Sequence, residues 1–366
     1  MGIETRRMIA AALGLGGPVA WGVAVGHPAL GALAAIGALA VSGVSLSGGR
    51  AVVSGGYALV ATTGAGLIGV VAGGHGWITA VTVVLVAAVV AVVGGMSRPM
   101  AEHTTRFIVF MVITTGLGAQ GAAPVAAAVL LAEGAIWGLL VTALVTALPT
   151  APPTALVTEL PTALPTAQVA ALPTTLGART RRPPQEERTG PAPTSRALLK
   201  RWWRTLWTVR GWQYPIRLTT CLAAAEVIGL VWPQPNASWI AVTVVIVVRR
   251  QLDGALRRAI ERAAGTAAGV LAGSAVLLWV PPSWLFVLLV SGLAAVRPVL
   301  KDRQYTLYAT VMTPLVLLLM EGGGRVAPAT IGYRLADTAI GCVLALGIGC
   351  LPWTVRRERS VRAIVD

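Results

Sequence analysis

Charge is scarce in this chain: Asp, Glu, Lys and Arg make up only 12% of its 366 residues, against 55% hydrophobic. With a mean hydropathy of +0.75, too little polar surface is left to cover a water-soluble domain, and that class is excluded. The residues on which enzymes most often rely are also few. The three histidines, His27, His75 and His103, are scattered over expected loops, so no zinc site is suggested. The three cysteines, Cys221, Cys342 and Cys350, fall in apolar segments without disulfide or metal spacing and read as small packing residues. No Walker glycine loop, His-Glu-x-x-His or Cys-x-x-Cys motif occurs. Neither an enzyme nor ATP hydrolysis within this chain is expected, and no cofactor or metal is implied.

What the chain does have is long apolar runs. They reach about 20 residues almost free of charge, which matches a ~30 Å hydrocarbon core at 1.5 Å per helical residue. Membrane strands would alternate, and these runs do not. The expected fold class is an all-α membrane protein with about twelve spans, at 8–25, 28–46, 51–73, 77–96, 105–120, 123–147, 214–232, 236–249, 259–280, 283–296, 304–320 and 328–351. The eighth and tenth spans are short for a full crossing, so tilt, extension or a broken helix is expected there. The first span runs straight into further spans with no small-residue cleavage site, and reads as a retained helix.

Positive charge sets the orientation. With a cytoplasmic N-terminus, all but Arg325 and Arg334 of the 29 Lys and Arg fall on the inner side, so both termini are expected in the cytoplasm. The net charge of +15 then reflects loops facing an anionic leaflet, and no nucleic-acid partner is expected.

Between the halves the chain repeats a Leu-Pro-Thr-Ala unit, whose prolines forbid a helix. The expected organisation is a first six-helix repeat over 1–148, a disordered Pro/Thr/Ala-rich cytoplasmic linker over 149–195, a basic Trp-rich interfacial helix over 196–213, a second repeat over 214–353, and a basic tail over 354–366. In the interfacial helix, Lys200, Arg201, Arg204 and Arg210 alternate with Trp202, Trp203, Trp207 and Trp212, as in a helix lying among lipid headgroups. A shift of 204 residues places "LAEGAI" (131–136) on "LADTAI" (335–340), Glu133 on Asp337 and Leu130 on Arg334. Because each half has an even number of spans, the repeat is expected to be parallel.

Three acids, Glu133, Glu226 and Asp337, then share one depth band, each roughly 9–12 Å from the outer boundary. Ionisable side chains cost at least ~2.5 kcal/mol each near the bilayer centre, so they normally face an enclosed polar space.

The second half resembles the fusaric acid resistance protein-like membrane domain, the family that includes aromatic acid exporters. "SWIAVTVVIVV", "RRAIERAAGTAAGVLAG", "YTLYATVMTPLVLLL", "YRLADTAIG" and "LPW" carry the resemblance, over about 140 residues. The family's Arg-x4-Arg-x2-Gly-Thr-x2-Gly helix is met by Arg257, Arg262, Gly265, Thr266 and Gly269. The first half keeps a span followed by Arg50 but lacks the Trp and the Gly-Thr. The resemblance implies efflux of small, often aromatic, organic acids; the plant malate channels, which the family also resembles, make an anion channel the alternative. A purely structural membrane protein is the third reading.

The residues of the motif also have a reading of their own. Arg257, Arg258 and Arg262, with Asp253 and Glu261, allow a local ion-pair network, while Gly265, Ala268, Gly269, Ala272 and Gly273 form a small-residue packing face. The arginines serve either as a basic rim or as a funnel for anionic substrate. Arg334 and Asp337, three apart, share one face of the last span, where a structural ion pair is one reading. The other has Arg334 holding a substrate carboxylate while Asp337, Glu226 or Glu133 carries a proton. Tyr305, Tyr308 and Thr313, with Thr310 and Tyr333, line the path in that reading, or serve only in packing. The expected protein is a multi-pass transporter of the bacterial inner membrane whose partners are the bilayer and a small organic anion. It works as a pseudo-dimeric monomer or a homo-oligomer.

Overall fold

The computed structural model of the chain describes residues 2–44, 51–148, 195–234, 237–251, 254–278, 282–322, 324 and 328–353. The expected linker, apart from Ser195, and the basic tail lie outside the described residues, as do Arg50, Asp253 and Arg325.

The described chain is helical: α1 (Ile3–Ala24), α2 (Pro28–Val41), α3 (Ala51–Ala72), α4 (Trp77–Val93), α5 (Arg98–Ala119), α6 (Pro124–Ala147), α7 (Ser195–Leu206), α8 (Val209–Val231), α9 (Ser238–Val247), α10 (Ala255–Leu278), α11 (Ser283–Arg303), α12 (Tyr305–Glu321) and α13 (Pro328–Gly347). Local chemistry sets several boundaries. Pro28, Pro124 and Pro328 open their helices, where a missing N–H costs nothing. Ser97 caps α5 by accepting from Met100 N at 3.3 Å. Gly322, with φ at 57°, ends α12 in the left-handed conformation that glycine tolerates best.

Six helices are long and apolar enough to cross a membrane, and four more are apolar but shorter. Their outer faces carry Leu85, Val89, Leu140, Leu144, Val231, Leu271 and Val343, all exposed. Such a surface is untenable in water and natural against acyl chains. Several of the expected spans change length: the fifth begins as α5 at Arg98, which takes His103 from an expected loop into a helix, and the seventh begins as α8 at Val209. The tenth, expected to stop at 296, continues as α11 to Arg303, which carries Arg297 from an expected loop into a buried helical position. The eighth shortens to the 10-residue α9, about 15 Å long.

Consecutive helices alternate in direction, so the start of α1 and the ends of α6 and α11 share one face: Arg6 donates to Thr146 O at 3.4 Å, and Arg303 meets Glu4 at 3.4 Å. This is called the terminal face, and the opposite one the far face. In the first half α1 packs on α2 and α6, α2 on α3 and α6, α3 on α5 and α6, and α4 on α5. The second half shows the same pairs in order: α8 on α9 and α13, α9 on α10 and α13, α10 on α12 and α13, and α11 on α12. Contacts between halves are reciprocal too, α1 with α11 and α8 with α4, α5 with α9 and α12 with α2.

The two largest apolar clusters span both halves, while a smaller one of Val41, Val44, Ala58 and Ala135 lies within the first. One of the two large clusters gathers Val83, Ala87, Ile108, Met111, Leu218, Ile240 and Val244 around α9; the other gathers Leu15, Val19, Ile36, Phe286, Leu315 and Leu317 around α1, α2, α11 and α12. The small-residue face expected on α10 narrows to Gly265 and Gly269, which lie against the backbone of α12 at Thr306 and Thr310, while Ala268 and Ala272 are exposed.

Candidate functional site

Helix α13 brings Arg334 and Asp337 inward together, Arg334 at 7% and Asp337 at 1% exposure. Their spacing of three puts them on one face, along with Thr338, Gly341 and Cys342. That face packs against α8, α9 and α10. At Gly341 a Cβ would press on Thr243 and on the carbonyl of Ile240, so the glycine allows α9 to approach closely.

Arg334 and Asp337 do not pair with each other. Ion pairs form elsewhere, between Arg257 and Glu261 and between Arg303 and Glu4. Asp337 instead accepts a hydrogen bond from Gln234 Nε2, which reaches down from the loop between α8 and α9. The guanidinium carbon of Arg334 lies over the Trp239 ring, 3.0 Å from its centroid. A desolvated cation on a tryptophan face is worth ~2 kcal/mol, which offsets part of the burial of this charge. Asp337 and Glu321, at the far-face end of α12, are the carboxylates within electrostatic reach of Arg334.

The polar atoms left over are the telling feature. Among the described residues, six buried side-chain N or O atoms find no hydrogen-bond partner, and five of them are Gln234 Oε1, Trp239 Nε1, Arg262 Nε, Thr266 Oγ1 and Arg334 Nε. Each such group costs roughly 1–3 kcal/mol, so their gathering on α9, α10, α13 and one loop is a large local expense. Three of the five are N–H groups that can only donate, and Thr266 can donate as well. Thr266 lies one turn from Arg262 along α10, on the far-face side, and Arg262 is near enough for its charge to act on Arg334. The arrangement is suited to an anion that accepts from several donors in turn.

The motif's arginines separate by role. Arg257, 83% exposed, pairs with Glu261 at 2.7 Å and forms a solvated rim. Arg258 covers Tyr305 at 4.3 Å, and the rings of Tyr305 and Tyr308 lie 6.0 Å apart. Both tyrosines open α12 at the terminal face, whereas Arg334 and Asp337 lie near the far-face end of α13. The structure therefore does not bring them to Arg334. Thr313 is buried in helix packing, bonded to Ala309 O at 2.9 Å and set against Gly269. Tyr333 is nearer the site, edge-on to Trp232 at 6.4 Å.

The three acids also part company. Asp337 is enclosed, Glu226 on α8 is half-buried, and Glu133 is exposed on the outer face of α6. The reason is register. The buried residues Leu131, Gly134, Ala135 and Gly138 of α6 fall on Arg334, Asp337, Thr338 and Gly341 of α13 with a shift of 203 (134 to 337), not 204. One residue turns a helix by about 100°, enough to carry Glu133 from the inner face to the outer. Leu131, rather than Leu130, is thus the counterpart of Arg334, and Gly134 that of Asp337.

Sequence reasoning missed Arg217, 1% exposed, which donates to Gly349 O, to Arg249 O at 3.1 Å and to Cys350 Sγ at 3.5 Å. It ties down the terminal-face ends of α9 and α13, whose last carbonyls have no partner within their helices. Nearby, Arg250 donates to Ala91 O at 2.8 Å and Trp202 of α7 to Val92 O at 3.1 Å, so both hold the end of α4. Gln234 was also missed, because a polar residue between two prolines reads as solvated loop. Trp239 reads by sequence only as the head of an apolar span.

Comparison with known proteins agrees with where the site lies. The fusaric acid resistance protein-like family model matches residues 222–348, the stretch that supplies Trp239, Arg262, Thr266, Arg334 and Asp337. The uncharacterized protein YhfK of Escherichia coli is 29% identical over 136 residues, 36% of this chain and 19% of that protein. The uncharacterized membrane protein YvaC of Bacillus subtilis is 28% identical over 170 residues, 44% of this chain and 26% of that protein. The chain therefore spans about a fifth to a quarter of the length of these relatives. No solved structure matches it. The apolar helices, the membrane-protein relative and the family match together make this chain a multi-pass integral membrane protein whose second half is fusaric acid resistance protein-like.

Proposed function

We propose that the protein is a secondary-active exporter of small organic acids, most suitably aromatic carboxylates, driven by the proton gradient across a bacterial inner membrane. The observation that carries this reading is the buried Arg334, laid on Trp239 with its Nε unpartnered beside the equally unpartnered Trp239 Nε1. A carboxylate accepting from the guanidinium would gain charge-assisted hydrogen bonds in a site of low dielectric. An aromatic ring on that carboxylate would meet Trp232, Tyr333 and Trp239. Asp337 is the proton carrier in this scheme, held by Gln234, with Glu226 as the second acid; Glu133 has no part in it.

The reciprocal helix contacts support two parallel six-helix repeats about an axis along the membrane normal, twelve crossings in all, with the basic terminal face in the cytoplasm. Arg262 and Thr266 then lie on the cytoplasmic side of Arg334 and serve as the inner step of the path. The anion-channel reading draws on the same donors. It differs in needing no titrating acid, and Asp337 set beside Arg334 without pairing favours the exporter. The test is flux of labelled benzoate from proteoliposomes under an imposed pH gradient. Arg334→Ala is expected to abolish it and Asp337→Asn to uncouple it from the gradient; unchanged flux in both variants removes the proposed site.

A further inference from the structure

We propose a second anion site in the first half, independent of the Arg334 site and built for a monovalent anion of halide size. Between α2, α3 and α5 lies a cavity of about 10 Å³, lined by Ala58, Thr62, His103, Arg106, Phe107 and Phe110 among others. That is room for the centre of a single small species. Its walls are alanine and phenylalanine except where Thr62, His103 and Arg106 face it.

The charge around this cavity is unbalanced. Arg106 acts electrostatically on Arg297 of α11, which is only 9% exposed, and Tyr308 lies near both. Among the described residues the carboxylate that acts on Arg106 is Glu102, itself exposed one turn earlier on α5. An arginine cannot shed its proton, and two neighbouring guanidiniums in an apolar bundle repel unless a counter-charge sits between or beside them. A water in the cavity would satisfy hydrogen bonds but leave that charge uncompensated. An anion beside Arg106 supplies both. It accepts from Arg106 and from His103. Thr62 now donates to Ala58 O at 2.8 Å and becomes a third donor if it turns.

Binding of radioactive chloride to the purified full-length chain in detergent, read by scintillation proximity, tests this directly. The expected result is one saturable site per chain, displaced by bromide but not by gluconate, which is too large for the cavity. Arg106→Gln and the cavity-filling Thr62→Leu should each weaken binding on the order of tenfold or more, while Arg334→Gln leaves it intact. No saturable binding in the wild type overturns the proposal. So does retention in both cavity variants, or loss in Arg334→Gln, which would assign the anion to the other site. If neither cavity variant folds, the wild-type size series decides, and displacement by gluconate as well as bromide counts against the site.

Discussion

The two halves of this protein pack their helices in the same pattern and fill that pattern with different chemistry. Among the described residues, the buried charged side chains are Arg217, Arg297, Arg334 and Asp337, and all four belong to the second half; the first half buries nothing more polar than Thr62, Thr104, Thr114 and Thr115. The contrast is sharpest between α6 and α13. Where α13 turns Arg334 and Asp337 inward, α6 turns Leu131 and Gly134 inward, and a Cβ at Gly134 would run into the backbone of Ala34. One helix is closed against its neighbour. The other buries donors that the protein itself does not satisfy. A pair of equivalent positions can thus be used once for packing and once for binding, which is why a single anion site, not two symmetric ones, is expected along this path.

This comparison can be broken most severely by forcing the first half to imitate the second. Gly134→Asp would drive a carboxylate into the α2 backbone and bury it without a partner; a destabilisation of more than ~4 kcal/mol is expected, read as loss of monodisperse protein in detergent. Next in size, Arg217→Met would strip the caps from the ends of α9 and α13 and cost about 3 kcal/mol, measured by thermal unfolding, with no first-half variant of a single arginine costing as much.

The reverse imitation separates function from stability. Arg334→Leu gives α13 the residue that α6 has at that place, and should lower benzoate flux on the order of 100-fold while leaving the unfolding temperature unchanged or raised, because a buried charge with an unpartnered donor is removed. A fall in both would make Arg334 a structural residue. A smaller effect is expected from Gln234→Leu, which removes the hydrogen bond that Gln234 donates to Asp337: about 1–2 kcal/mol, or roughly tenfold in flux, with expression unchanged. Smallest of all, Arg257→Ala removes an exposed ion pair and should leave the unfolding temperature within error of wild type.

The sequence made much of this site legible. Arg334 and Asp337 were conspicuous as charges in an apolar helix, three apart and therefore on one face. Arg262 and Thr266 stood out within a motif, and both prove to carry unpartnered buried atoms. The sequence misled where it relied on matching short alanine-rich strings. "LAEGAI" and "LADTAI" align well as letters, but the buried faces align one residue away, and Glu133 ends up outside. Tyr305, Tyr308 and Thr313 were gathered to Arg334 because they are polar and nearby in sequence. Yet α12 and α13 run in opposite directions, so the start of one lies at the end of the other. By sequence Arg297 reads as a loop residue, because Pro298 follows it at once and Lys301, Asp302 and Arg303 come soon after; α11 continues through Pro298 regardless.

What the sequence alone determined is the environment: a composition this apolar points to a membrane, and charges this rare inside the spans are expected to be enclosed, as Arg334 and Asp337 are and Glu133 is not. The helices themselves follow from local composition, because each depends on residues within a turn or two. What only the tertiary structure decided is which groups meet. Gln234 reaches Asp337 across 103 residues, Trp239 comes to lie beneath Arg334, and α4 and α11 each pack against the opposite half. Such contacts depend on the rotation of every helix about its axis. A single residue changes that rotation by about 100°, and no local pattern records it.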